Sequence, residues 1–206
     1  MRTFVTLAAL LFLTSLPVPG NAAEERGEQP RARETYAFDK AHTSIGFGVK
    51  HMVISTVKGR FTDYSGTIVH DTEDVTRSTI DVTIQTASIN TDNQQRDDHL
   101  RSADFFDAAG HPTITFKSSR ILRRGEGFVA VGNLTIREVT REVELRFQLF
   151  GPIEAMGSKR IGADATLTID RKDYGVSWSR TLDNGGLVVS DEVTLELHVE
   201  LIKQDM

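Results

Sequence analysis

The densest cluster of charged and titratable side chains lies between residues 96 and 107 of this 206-residue sequence. Its members are Arg96, Asp97, Asp98, His99, Arg101, Asp104 and Asp107. Arg96, His99 and Arg101 could hold an anionic head group, a phosphate or a carboxylate, through charge-assisted hydrogen bonds. The same residues could instead form internal ion pairs on a solvent-exposed helix. A third interpretation makes His99 the acid–base group of a hydrolase or isomerase, but the spacing gives this no specific support.

Histidines and cysteines, the usual ligands of transition metals, do not fall into a metal-binding pattern. The chain has no cysteine, which excludes disulfides, thiol chemistry and cysteine-based metal sites. His42 and His51 stand at the two ends of one predicted strand, too far apart to bind a single ion. The other histidines show neither i,i+4 pairing nor a His-Glu-x-x-His motif. We therefore predict no metal site, and we expect His51 to be a buried, hydrogen-bonded structural histidine.

Nucleophilic catalysis would need a serine next to a positioned base. Ser44, Ser102 and Ser118 are candidates, but no serine stands in a Gly-x-Ser-x-Gly motif. The glycine-containing loops also lack the phosphate-binding pattern followed by a helix. The sequence therefore predicts no catalytic residue and no cofactor, which favours a binding protein over an enzyme.

The first 23 residues have the layout of a cleaved secretory signal peptide. Arg2 provides a positive start, residues 4–16 are nearly all apolar, and small residues at 20–23 suit a signal peptidase. The apolar run is shorter than the roughly 20 residues of a membrane-spanning helix. We expect residues 24–34, which are polar and charged, to form a disordered leader before a domain at 35–203. The mature protein is thus expected to be exported and not membrane-embedded.

The charge balance is mildly acidic. Removing the predicted signal peptide removes Arg2 and no acid, which leaves 23 basic against 29 acidic side chains and a net charge of −6. An acidic chain without a basic cluster is poorly suited to nucleic acid or to an anionic membrane surface. We therefore predict no nucleic-acid partner.

Period-two alternation of apolar and polar residues dominates the predicted domain and indicates strands with one buried face. The apolar positions of the clearest strands are Ile45, Phe47, Val49 and His51; Ile80, Val82 and Ile84; Val143, Leu145, Phe147 and Leu149; Ala163, Ala165, Leu167 and Ile169; and Val193, Leu195, Leu197, Val199 and Leu201. Shorter candidate strands lie at 61–69, 114–118 and 128–136. Turn residues at 124–127 and 183–186 separate strands as in an antiparallel meander.

One stretch, residues 91–106, has a convincing helical pattern. Leu100, Phe105 and Phe106 would form its apolar side, and the polar residues at 90–92 offer an N-cap. About eight strands and a short helix must hide their apolar faces. They could do so in a two-sheet sandwich or in one sheet closed into a barrel, and the pattern alone does not choose.

Several stretches, in order along the chain, resemble the YceI-like family. They read FDKAHTSIGFGVKH at 38–51, VKGRF at 57–61, RDDHLRSADFFD at 96–107, GNLTI at 132–136, and RKDYGVSW with VSDEV at 171–178 and 189–193. Together they cover essentially the whole predicted domain. Two positions depart from the family pattern: Thr43 replaces the usual serine but keeps a hydroxyl, and Glu138 replaces a glycine expected in a turn.

The resemblance implies an all-β periplasmic protein, an antiparallel, lipocalin-like extended β-barrel of about eight strands with one or two short helices. Its interior would hold a long amphiphile, typically a polyisoprenoid or fatty-acid derivative. The tail would then contact apolar side chains of the interior, namely Phe47, Val49, Leu145, Phe147 and Leu167. The head group would be held at the rim by Arg96, His99 and Arg101. The alternative for the apolar residues is that they pack solely on one another.

We therefore predict a periplasmic binding or carrier protein that sequesters a polyisoprenoid-type lipid. Two other interpretations stay open: a lipid-acting hydrolase or isomerase centred on His99, and a stress-linked interaction module without a specific ligand. A homodimer is compatible with this prediction but not required by it.

Overall fold

The alternating residues form long antiparallel strands in the computed structural model, which describes residues 32–180 and 188–205. The strands in these ranges are β1 Arg33–Phe38, β2 Ser44–His51, β3 Ser55–Phe61, β4 Tyr64–Asp71, β5 Thr79–Gln85, β6 Ile89–Asn90, β7 Thr113–Arg124, β8 Gly127–Ile136, β9 Val139–Ala155, β10 Ser158–Asp170 and β11 Val189–Lys203. The same ranges contain a helix, α1, at Gln94–Arg101, and 3₁₀ turns at Val75–Arg77, Thr86–Ser88 and Arg171–Tyr174.

Eight of the strands close into a barrel. Hydrogen-bonded neighbours follow the order β1, β4, β5, β7, β8, β9, β10 and β11. β1 then pairs with the end of β11, where Tyr36 lies opposite Lys203 and Phe38 opposite Leu201. The predicted antiparallel barrel of about eight strands is confirmed. A sandwich is excluded because one sheet returns to its own first strand.

The remaining strands extend the barrel wall at one end. β11 has 15 residues, so the edge that meets β1 near Leu201 also has room for β2 along residues 189–198. β3 pairs with β2, and the short β6 pairs with the end of β3. We call the end formed by β2, β3 and α1 the outer end, and the end where β1 meets β11 the inner end.

The apolar face of each predicted alternating strand points into the barrel. The apolar residues of all five alternations line its cavities or belong to its buried clusters. Their polar neighbours, such as Glu144, Thr166 and Glu196, are exposed. Removing these apolar faces from water, at about 25 cal/mol per Å², is the main stabilising contribution to the barrel.

The predicted strand at 61–69 is wrong because it joins two strands into one, and the candidate at 114–118 is only part of the longer β7. The candidate at 61–69 consists of two strands, because β3 ends at Phe61 and β4 begins at Tyr64. The Thr62 hydroxyl donates to the Ser88 carbonyl at 3.1 Å, and the Asp63 carbonyl accepts the Gln85 N–H at 2.9 Å. These polar bonds to other segments turn the chain where the apolar pattern alone suggested continuation.

The α-helix is shorter than the predicted helix at 91–106, and none of the predicted caps is used. It starts after Asn93, whose side chain accepts the Arg96 backbone N–H at 3.0 Å. Thr91 stays outside because the buried Asp97 carboxylate accepts its N–H at 2.8 Å and its hydroxyl at 2.5 Å. The helix ends at the C-cap Ser102. Within the described residues, no helix has the length and apolarity that a membrane crossing requires.

The start of the barrel lies slightly before the predicted domain boundary at residue 35, because β1 begins at Arg33. The predicted signal peptide at 1–23, all but the end of the predicted leader, and the predicted turn at 183–186 lie outside the described residues. The turn at 124–127 joins β7 to β8 as predicted.

Both departures from the family pattern keep their local structure. At the Glu138 turn, Arg137 takes the left-handed conformation with φ of 56°, so the turn forms without the expected glycine. The Thr43 hydroxyl donates to the Glu200 carbonyl and accepts the Glu200 N–H, both at 3.1 Å. This hydroxyl therefore ties the start of β2 to β11.

Acid should weaken the inner end of the barrel through Glu34. Burial alone would raise the pKa of this carboxyl, but hydrogen bonds from Lys159, Lys203 and Tyr36 lower it from 4.5 to about 2. Since the native pKa is the lower one, the stabilisation is complete above about pH 5 and is lost as the pH falls toward 2. Because solvent screens part of the effect, we expect about 1–2 kcal/mol.

Urea unfolding of the parent and of Glu34→Gln at several pH values measures this contribution. The variant should be less stable at pH 7, and the gap between the two proteins should close toward pH 2. A gap that stays constant from pH 7 to pH 3 would contradict the role of the ionised carboxylate.

Candidate ligand-binding site

The barrel encloses an apolar cavity of about 180 Å³, which we call the inner cavity. Inward-facing residues of β4, β5, β7, β9, β10 and β11 supply most of its wall, including Ile68, Ile80, Val82, Ile84, Ile114, Phe116, Leu145, Phe147, Leu149, Ile161, Ala163, Ala165, Leu167, Leu197, Val199 and Leu201. Leu145, Phe147 and Leu167, three of the predicted tail residues, therefore lie in this wall.

Polar groups in the inner cavity are few and uncharged. Ser78 lies in the wall, and its hydroxyl accepts the Asp71 backbone N–H at 2.9 Å. His70 also lies in the wall and is buried, and this burial lowers the pKa of its imidazole, which is therefore neutral at pH 7. An uncharged wall of this kind accepts a hydrocarbon chain and disfavours a charged group.

A second cavity, of about 370 Å³, lies at the outer end; we call it the outer cavity. β2, β3, α1, the segment 171–178 and the start of β11 contribute to its wall. Its lining is rich in aromatic side chains, namely Phe47, Phe61, Phe105, Phe106, Tyr174 and Trp178. The other two predicted tail residues, Phe47 and Val49, line this cavity.

The two cavities lie end to end. Phe61, Ile136 and Leu195 line both of them. Phe61 also packs against Phe47 and Phe106, with ring centroids 5.9 and 6.0 Å apart. Each of the five predicted tail residues thus lines one of these two adjoining apolar cavities, and contact of these residues with a ligand stays a prediction.

Gly59 on β3 makes room for the Phe47 ring beside the outer cavity. The two residues are cross-strand partners. A Cβ atom at Gly59 would stand 2.7 Å from Cε1 of Phe47 and 2.8 Å from Cγ2 of Thr91, closer than real contacts. Only glycine therefore lets this ring lie against the wall.

Two of the three predicted head-group residues, Arg96 and His99, reach the outer cavity from α1. The Arg96 guanidinium donates from Nε to the Thr91 hydroxyl at 2.7 Å and from Nη2 to the Thr91 carbonyl at 2.8 Å. His99 Nε2 lies 2.9 Å from Asp104 Oδ2. These bonds fix a cationic side chain and an imidazole on the same wall of the cavity.

Arg101, the third predicted head-group residue, does not line either cavity. Its guanidinium donates to the carbonyls of Ala87 and Ile89, both at 2.7 Å, and to Asp98 at 3.1 Å. On a helix, a side chain two residues beyond His99 points to a different side from that of His99. The structure therefore brings Arg96 and His99 together and uses Arg101 to hold α1 against β6.

Sequence reasoning missed Trp178 and Arg171, which shape the outer cavity. The Trp178 ring lies 5.1 Å from the His99 ring and 5.2 Å from the Phe105 ring, between ring centroids. Arg171 is only 5% exposed and donates to the carbonyls of Ser190, Val176 and Trp178 and to Asp191. These bonds join the segment 171–178 to the start of β11. The one feature of the sequence that pointed to either residue is that both occur in RKDYGVSW, a stretch that resembles the YceI-like family.

His51 and His42, at the two ends of the first predicted strand, lie in different surroundings. His51 is half-buried in the wall of the outer cavity, not buried as predicted.

His42 lies with Asp39 and Glu200 in a cluster whose potential metal-ligand atoms are within 4.8 Å of one another. Arg160 Nη1 donates to Asp39 at 2.7 Å and to Glu200 at 2.5 Å. A guanidinium therefore occupies the position that a cation would take between these carboxylates.

A closed antiparallel barrel with an apolar interior places the molecule among the closed β-barrel proteins, an architecture whose interior can hold a small apolar ligand. More narrowly, the chain belongs to the YceI-like family, because the model of the YceI-like domain matches residues 36–201. The resemblance inferred from the sequence is thereby confirmed. The YceI-like family has a binding-protein fold and is not a known enzyme family.

Similar proteins cover nearly the whole chain. A UPF0312 protein of Pseudomonas aeruginosa is 35% identical over 202 residues, which are 97% of this chain and 98% of the relative. A UPF0312 protein of Vibrio vulnificus is 32% identical over 208 residues, which are 99% of this chain and 100% of the relative.

Solved structures share the fold. The YceI protein of Campylobacter jejuni is 36% identical with a TM-score of 0.66, over 81% of this chain and 96% of that one. A polyisoprenoid binding domain from Saccharophagus degradans is 18% identical with a TM-score of 0.59, over 82% of this chain and 98% of that one. At the latter identity the likeness shows the fold alone.

Proposed function

We propose that this protein is a periplasmic binding or carrier protein for a long-chain amphiphile, a polyisoprenoid or a related lipid. The observation that carries the proposal is the pair of apolar cavities that lie end to end, with Arg96 and His99 on the wall of the outer one. The lipid tail occupies the inner cavity and the polar head occupies the outer cavity. Binding keeps the tail out of water while the protein holds or moves the lipid.

The tail provides most of the affinity. Each methylene removed from water contributes about 0.8 kcal/mol, so a long chain can bind tightly without any polar contact. Leu145, Phe147 and Leu167 contact the tail in the inner cavity, and Phe47 and Val49 contact it nearer the head.

The head group is held by Arg96 and His99. Arg96 provides a permanent cation beside the outer cavity, which suits a phosphate or carboxylate. The proposed head-group site does not include Arg101, because its guanidinium binds the Ala87 and Ile89 carbonyls and lies away from the cavity.

Two similarities support this proposal. The Saccharophagus degradans neighbour is described as a polyisoprenoid binding domain, and this chain shares its fold. YceI-like proteins are commonly periplasmic, which agrees with the signal peptide predicted at 1–23.

Loss of the Arg96 cation should discriminate between two ligands that share one tail and differ in the presence of a phosphate on the head. Arg96→Ala should weaken binding of a prenyl phosphate by roughly 10- to 100-fold, because a charge-assisted hydrogen bond contributes about 1.5–3 kcal/mol. Binding of the matching prenyl alcohol should change much less. Titration calorimetry with both ligands measures the two changes in one variant.

Arg101→Ala is the matched control, since it removes the same group from the same helix outside the cavity. It should affect both ligands alike, through the fold. If Arg96→Ala also weakens both ligands equally, or weakens neither, the head group is not held by Arg96.

A further inference from the structure

The tip of the β2–β3 hairpin presents consecutive apolar side chains to solvent. Val53 is 78% exposed and Ile54 is 86% exposed, and Met52 before them is also exposed. We call Met52, Val53 and Ile54 the apolar tip. A hairpin loop of a soluble barrel would ordinarily carry polar residues and glycine, so this composition calls for a partner that buries it.

The backbone of the apolar tip is strained at two successive residues. Met52 and Val53 have φ of 51° and 64°, and the Ile54 N–H donates to the His51 carbonyl at 3.2 Å. Asparagine and glycine adopt positive φ more readily than methionine or valine, and the three-residue loop between the paired His51 and Ser55 contains neither. Val53 is the one β-branched residue with positive φ among residues 32–180 and 188–205. A β-branched residue in this conformation is an outlier, and such outliers cluster at functional sites.

The apolar tip lies at the rim of the outer cavity. Val49 and His51, directly before it, line the cavity, as does Val57 just after it. The Met52 N–H donates to the carbonyl of Val188, another lining residue, at 3.0 Å. Whatever buries the tip therefore also faces the cavity through which a lipid would enter.

We propose that the apolar tip inserts into a phospholipid bilayer and places the outer cavity over the membrane from which the lipid is taken. This proposal rests on the proposed lipid-binding function. A bilayer both buries apolar side chains and contains long-chain amphiphiles of the class proposed for the cavities. Apolar side chains inserted at the level of the head groups bind reversibly, as a carrier requires.

The charged residues around the tip give it no preference between zwitterionic and anionic bilayers. Lys50 and Arg180 are exposed cations near the rim, and Glu192 on the neighbouring strand is an exposed anion. These opposite charges, together with the acidic net charge of −5 for the whole chain, give no strong attraction to anionic lipid. Insertion should therefore depend on apolar contact, with similar binding to zwitterionic and anionic vesicles.

A second apolar hairpin provides a matched control. The β9–β10 tip, at the inner end of the barrel, exposes Ile153 at 59% and Met156 at 84%. Met156 also has a positive φ, of 54°. The same pair of substitutions can therefore be made at either end of the barrel, with similar loss of exposed apolar surface.

The test compares the parent, Val53→Asn with Ile54→Asn, and Ile153→Asn with Met156→Asn. Flotation with phosphatidylcholine vesicles, and with vesicles containing phosphatidylglycerol, measures membrane binding. The first variant should bind at least about tenfold less to both kinds of vesicle, and the control should bind as the parent does. Because asparagine tolerates left-handed backbone, the first variant should unfold at the same or a higher temperature than the parent.

Farnesol binding in vesicle-free buffer measures ligand binding by the barrel independently of membrane insertion by the tip. The tip variant should bind farnesol like the parent but take up a fluorescent polyprenyl lipid from vesicles more slowly. Parent protein that does not float, equal loss in both variants, or a tip variant that changes only the oligomeric state would overturn the membrane proposal. Failure of the parent to bind farnesol while it still floats would instead count against the lipid-binding function.

Discussion

Replacing Ala163 by phenylalanine should reduce the affinity for a long-chain lipid by more than about 100-fold. Ala163 on β10 lines the inner cavity and is paired with Leu149 and Val199, which line it as well. A phenyl ring at this position occupies space that the tail would fill. Displacing about four methylenes into water, at about 0.8 kcal/mol each, costs roughly 3 kcal/mol. Titration with a fluorescent prenyl lipid measures the change.

The control for this variant lies on the same strand. Thr166→Phe adds the same ring on the exposed outer face and should leave lipid binding unchanged. Thermal unfolding of both variants shows whether the larger side chain damages the barrel, since overpacking commonly costs about 1–3 kcal/mol. A folded Ala163→Phe variant that binds lipid like the parent would mean that the tail lies elsewhere.

Replacing Arg171 by methionine should destabilise the folded protein by about 3–5 kcal/mol. Methionine keeps an unbranched apolar stem at this position but donates no hydrogen bond. The carbonyls of Ser190, Val176 and Trp178 would lose their donor, and Asp191 would lose its buried partner. Unfolding in guanidinium chloride measures the loss. Since Trp178 and Val189 line the outer cavity, lipid binding should weaken as well.

Lys172 allows the contribution of burial to be separated from that of charge. It pairs with the same Asp191 at 2.8 Å but is exposed to solvent. Lys172→Gln should therefore cost less than about 1 kcal/mol. Equal losses for Lys172→Gln and Arg171→Met would contradict the view that the buried hydrogen bonds of Arg171 join the two segments.

Strands were predictable because their signal is local. Period-two alternation identifies residues such as Leu145 and Leu167 as inward-facing wherever the strand lies in the sheet. Closure is not local, because it depends on the pairing of Tyr36 with Lys203, residues from opposite ends of the domain. Only the resemblance to the YceI-like family pointed to a barrel, and that prediction is confirmed.

The limits of elements were harder to predict because polar bonds to distant segments set them. The apolar pattern carried the predicted helix on to Phe105 and Phe106, but the chain leaves the helix at Ser102 and turns, with the Phe106 N–H bonded to the Leu100 carbonyl at 3.0 Å. Both phenylalanines still line the outer cavity. Burial of an apolar residue near a helix therefore does not show that it belongs to that helix.

The candidate site was only partly predictable for a related reason. Position on α1 separates Arg96 and His99 from Arg101, and helical spacing alone already suggested this division. Arg171 had no comparable signal, since it stands in a charged stretch where a solvent-exposed side chain is the usual expectation. Its burial depends on four acceptors in 176–178 and 190–191, which the fold brings together.

Lipid binding inside the barrel is tested most directly by native mass spectrometry of the protein purified from its own organism. We expect the parent to carry one long-chain lipid per chain, which is released intact on activation in the gas phase. Ala163→Phe, purified in the same way, should carry none, and Thr166→Phe should carry the same lipid as the parent. A parent protein without any bound lipid, or a lipid retained equally by Ala163→Phe, would contradict the proposal that the inner cavity is the binding site.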